Sequence, residues 1–131
     1  MELTIEITGD VVEWQELLNG TQILSLDGAS ADGQWTLSGA LSWNIGLRES
    51  AGEGDLTLGR ANGAEIFATL TRADVRAVVE REVEDADYTM RLEYEIDGGA
   101  GEYEGAAGTA TTEGALSRVG FNGRWVISIR E

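Results

Sequence analysis

Few residues in this sequence could do chemistry, and several of the usual ones are missing. There is no His, no Cys and no Lys, so the titratable side chains are 24 Asp and Glu, 9 Arg and 3 Tyr. A Ser-His-Asp or Cys-His nucleophile cannot be assembled without an imidazole base or a thiolate. Zinc and copper lose their nitrogen and sulfur ligands, Schiff-base chemistry loses its amine, and a phosphate-binding Walker loop loses its Lys. What remains is a carboxylate, a phenol, hydrogen-bond donors, or shape. No metal and no cofactor is expected.

Among the phenols Tyr94 is the best candidate catalytic group. It sits in the alternating segment Tyr88, Met90, Leu92, Tyr94, Ile96, where a hydroxyl on an apolar face could donate to a developing oxyanion. Trp35, Trp43, Tyr88, Met90 and Trp125 lie on comparable apolar faces. They are candidate substrate-binding residues that could enclose and stack on a conjugated molecule. The same side chains could instead fill a core or a subunit interface, and both uses stay open here.

Other groups have plainer readings. Glu93 and Glu95 share a face, but Thr89 and Arg91 on that face mark it as solvated. Asp27 and Asp32 are expected to lie in one loop, where a weak Ca²⁺ site is conceivable, but the spacing is not that of an EF-hand and a plain turn is the expectation. Arg48, Arg72 and Arg124 could anchor an anionic or carbonyl end of a ligand, with surface ion pairs as the simpler role.

The elements that must position these residues are strands. Glycine numbers 18, and Asn-Gly or Asp-Gly recurs at 19–20, 27–28, 32–33, 62–63, 97–98 and 122–123, which suits hairpin turns. Between them residues alternate with period two: Leu3, Ile5, Ile7; then Trp35, Leu37, Gly39, Leu41, Trp43; then Phe121, Gly123, Trp125, Ile127, Ile129. Strands are expected near 2–8, 11–18, 21–27, 34–48, 54–60, 64–73, 76–83, 88–97, 106–113 and 121–130. Residues 71–86 also fit a helix, because Val75, Val78, Val79 and Val83 fall at helical spacing. Gly39 within a long strand favours a barrel, where glycine permits a sharp bend.

The charge and length set the remaining bounds. A net charge of −15 repels phosphate backbones and anionic membrane surfaces, so neither nucleic acid nor membrane is an expected partner. No apolar run is long enough to cross a bilayer. Met1–Glu6 lacks the basic and apolar regions of a secretory signal, and a cytoplasmic location is expected. At 131 residues one domain over 1–131, with a self-sufficient core, is expected.

The segment Gly98-Gly99-Ala100-Gly101-Glu102-Tyr103-Glu104-Gly105-Ala106-Ala107-Gly108 resembles the Gly-Gly-x-Gly-x-Tyr/Phe-x-Gly-x-x-Gly turn of the allene-oxide-cyclase-like barrels. That group includes plant allene oxide cyclases, dirigent proteins and bacterial spirotetronate cyclases. Gly54–Leu58 with Gly63–Leu70 and Ala73–Val75 is similar to a central strand pair of the bacterial members. The resemblance implies an all-β, antiparallel, eight-stranded calycin-like barrel with an apolar interior pocket, often a homodimer or homotrimer. It further implies a cofactor-independent cyclase, of the [4+2] type in the bacterial members, acting on a hydrophobic polyketide-like molecule. The group has no portable catalytic motif, so it transfers no residue by name. A non-catalytic, lipocalin-like carrier of similar shape is the alternative, and a filled, purely structural barrel is a third.

Overall fold

The computed structural model describes residues 1–44, 52–77 and 88–130. Eight strands, β1 (Glu2–Glu16), β2 (Thr21–Ala29), β3 (Trp35–Asn44), β4 (Glu53–Arg60), β5 (Glu65–Ala77), β6 (Tyr88–Ala100), β7 (Gly108–Leu116) and β8 (Gly120–Ile129), follow one another in sequence. Each pairs antiparallel with its neighbours, and β1 pairs with β8 to close the barrel. The all-β, eight-stranded antiparallel architecture expected from the alternation and the resemblance is therefore the one present. Closure gives every strand a neighbour on both sides, which shields sheet edges that an open sheet of this size would have to protect.

Two pairs of expected segments fuse, for one physical reason. Segments 2–8 and 11–18 are a single strand because Gly9 and Asp10 do not turn. They pair with Gly28 and Asp27 on one side and with Phe121 and Gly120 on the other. Val12 is then the extra residue of a bulge between Val11 and Glu13. A one-residue bulge moves every later side chain to the opposite face. Leu3, Ile5 and Ile7 face inward before it and Trp14 after it, while Val12 itself is exposed. Segments 64–73 and 76–83 join likewise as far as Ala77, with a bulge at Thr71 separating inward Leu70 from inward Ala73. Residues 71–77, which also fitted a helix by sequence, are strand; 78–86 lie outside the described residues, as does the 45–48 part of the expected 34–48 strand.

Half of the glycine dipeptides do not turn either. Gly20, Gly33 and Gly63 adopt positive φ in turns. Asp27-Gly28, Asp97-Gly98 and Asn122-Gly123 are inside strands. At Gly123 the reason is room: a Cβ there would stand 2.8 Å from Cζ3 of Trp125.

The core runs the length of the barrel, from Trp35 and Tyr103 at one end to Trp43 and Met90 at the other. The first end is closed by the glycine-rich turn. Gly101 at φ 65 lets the chain fold back over Ala64, and the buried Tyr103 ring packs 6.2 Å from Trp35. Arg60 covers both, its guanidinium 5.5 Å from the Trp35 ring centre and donating to the Tyr103 hydroxyl (3.0 Å) and Glu102 (2.9 Å). Tyr103→Ala should lower stability by about 3 kcal/mol, in line with truncation of a buried ring. Tyr103→Phe, which loses only the Arg60 contact, should cost about 1 kcal/mol; urea unfolding of the two variants checks the difference.

Candidate functional site

Trp14, Trp43 and Tyr88 come together at the opposite end, where β1, β3 and β5 finish and β2, β4 and β6 begin. The Trp14 and Trp43 rings meet edge to face at 5.5 Å, and Trp14 lies 5.5 Å from Tyr88. Aromatic pairs in such geometries each contribute about 0.5–1.5 kcal/mol beyond the area they bury. Gln22, only 2% exposed and paired directly with Trp43 across the β2–β3 ladder, accepts a 2.7 Å hydrogen bond from Trp14 Nε1. Arg118 lies over the outer face of Trp14, 4.3 Å from the ring centre, and reaches Glu16 at 3.7 Å. Leu18 and Val119 stand exposed on the rim beside them. Met90 is buried two residues beyond Tyr88 on the same face of β6.

Among the described residues, three buried side-chain polar atoms have no hydrogen-bond partner: Trp43 Nε1, Trp125 Nε1 and Thr112 Oγ1. Each such group costs free energy when left dry, so a buried donor without an acceptor calls for an explanation. Trp43 belongs to the aromatic cluster. Thr112 and Trp125 face each other in register midway along β7 and β8, where β7 contributes only Ala110, Thr112 and Gly114 beside the indole. The absence of aromatics on β7 is what makes space for Trp125.

The residues singled out from sequence thus divide by position. Trp43, Tyr88 and Met90 share the tryptophan end. Trp35 is at the closed end with Tyr103. Trp125 and Tyr94 lie between, both buried. Burial pushes the Tyr94 phenol well above its ordinary range, and the charge of Asp55 adds to the shift. Tyr94 is therefore held protonated as a donor. Glu93, Glu95, Arg72 and Arg124 are exposed, and Arg124 faces Glu6 at 3.5 Å. Arg48 lies outside the described residues. Asp27 and Asp32 do not share a loop: Asp27 is in β2, and Asp32 caps the following turn through Ser30 and the Gln34 amide. Among the described residues no cluster of acidic side chains is placed to hold a metal ion. An outer groove of about 660 Å³ over Ser38, Ala40, Asp55, Thr57 and Phe67 holds no aromatic cluster and no buried unpaired donor.

Trp14, Gln22 and Thr112 were not foreseen. Trp14 was hidden by the bulge that reverses its face, and Thr112 by its small, polar neighbours. Gln22 shares the alternation of Leu24 and Leu26, a signal that was available.

No family model matches the sequence, and no curated protein matches it. By fold, the chain is similar to a solved structure of pyocyanin demethylase, with a TM-score of 0.67 and 18% identity over 99% of this chain and 100% of that one. At that identity the likeness concerns architecture, so the protein shares with that enzyme a small eight-stranded antiparallel barrel.

Proposed function

We propose that this protein is a cofactor-independent barrel enzyme that binds a hydrophobic, conjugated small molecule and promotes its cyclisation, as a [4+2] closure of a linear polyketide-like chain. The single observation that carries the reading is the Trp14–Trp43–Tyr88 cluster with an unpaired, buried indole N–H at one end of a closed barrel. An eight-stranded barrel has an interior just wide enough to be filled by side chains or to take one small ligand. Aromatic walls would hold a flexible polyene folded, so that the entropy of bringing diene and dienophile together is removed before reaction. Tyr94, kept protonated, would polarise a carbonyl conjugated to the dienophile. Such a step needs no nucleophile, which suits a chain without His, Cys or Lys. The resemblance of the 98–108 turn to the cyclase barrels supports the same chemistry. That a similar barrel is named as pyocyanin demethylase supports a small-molecule substrate in this architecture.

The test is a linear triene carrying a tethered, carbonyl-activated dienophile. The expected outcome is saturable quenching of tryptophan fluorescence together with formation of the cyclised product faster than in buffer. Saturable quenching with an unchanged product rate would reject the cyclase and leave the carrier.

A further inference from the structure

The three unpaired polar atoms are arranged as a set. Trp43 Nε1 is at the tryptophan end, on a ring 2% exposed. Thr112 Oγ1 and Trp125 Nε1 lie midway down the barrel on side chains that are 0% exposed. Thr112 and Trp125 are directly opposed across β7 and β8, which places their Cβ atoms about 5 Å apart on one inward face. Two other polar groups at the tryptophan end are already used: Trp14 Nε1 donates to Gln22, and Gln22 Nε2 donates to the Gly20 carbonyl at 3.4 Å. Neither is free to read a ligand without breaking what it holds.

Two of the three atoms are indole N–H groups, which can only donate, and the third is a hydroxyl, which can do so. A hydrocarbon would leave all three unsatisfied. We infer that the barrel selects an elongated, oxygenated ligand, with one acceptor oxygen at Trp43 near the tryptophan end and a second between Thr112 and Trp125 at mid-barrel. This inference rests on the small-molecule reading above and deepens it by naming the residues that set specificity. Binding such a ligand gives each orphaned atom a partner. Discrimination of this kind is strong because a ligand lacking the oxygen leaves buried donors unpaired.

The experiment uses two rod-shaped probes of similar shape, chalcone, which has a carbonyl, and trans-stilbene, which has none. Binding to the protein is followed by tryptophan quenching, with thermal melting as the control for folding. Wild-type protein should bind chalcone about tenfold more tightly than stilbene. Trp43→Phe and Thr112→Val should each cut the preference for chalcone over stilbene about fivefold or more. Thr112→Val, which replaces an orphaned hydroxyl by a methyl of the same shape, should also melt higher than wild type. Equal affinity for the two probes, or equal loss of both in the variants, would overturn the inference and leave the three atoms as sites for buried water only. If neither probe binds the wild type, the small-molecule reading falls and this inference with it.

Discussion

Trp125→Ala should lose about 3–5 kcal/mol of folding stability, the range for removing a large buried aromatic side chain. The indole is 0% exposed and packs edge to face against Phe121 at 6.0 Å. Gly123 yields space to it on its own strand, and small β7 residues flank its ring. These neighbours are fitted around the ring and have little side chain with which to collapse into the gap. Folded domains keep only about 5–15 kcal/mol in total, so the variant would stand near the edge of folding. Trp125→Phe separates packing from polarity. It leaves a smaller void, and it also removes an indole N–H that has no partner. The two effects oppose each other, and a net loss of about 1 kcal/mol is expected. Urea unfolding checks both, with an unchanged m-value showing that the denatured state is comparable.

The same residue shows what sequence could and could not convey. Period-two alternation placed Trp35, Trp43, Tyr94 and Trp125 on apolar faces, and all four are buried. Alternation is a property of each strand alone, so it reads which face is inward. It does not read which end of the barrel a residue reaches, because that depends on register between strands distant in sequence. Trp35 and Trp43 sit on one face of one strand, yet they reach opposite ends and different neighbours. Bulges were the second obstacle. Val12 and Thr71 each insert one residue and reverse the phase, and the first of them hid Trp14. Glycine was the third, since Gly28 and Gly123 serve close packing where their dipeptides suggest turns. The barrel was legible because strand patterns survive these interruptions. The Trp14–Gln22–Trp43 grouping was not, because it is assembled by pairing across β1, β2 and β3.

Tyr94→Phe should slow the proposed cyclisation about 100-fold or more at saturating substrate while changing KM little, the pattern for a donor whose bond strengthens in the transition state. The substitution keeps the ring that fills the barrel and removes only the hydroxyl. With its phenol pushed above the ordinary range by burial and by Asp55, wild-type Tyr94 keeps its proton across the neutral and mildly alkaline range. The rate should therefore show no fall attributable to this group as pH rises towards 10. Stability carries an independent signature. In the unfolded chain the phenol ionises near pH 10, whereas the folded barrel resists placing that charge in its interior. Above that pH the folded state binds more protons than the unfolded one, so stability falls as pH rises. Tyr94→Phe should remove this part of the alkaline loss, giving a shallower decline of the urea midpoint above pH 10. A variant that cyclises at the wild-type rate yet shows the shallower decline would leave Tyr94 a buried core residue with no part in the reaction.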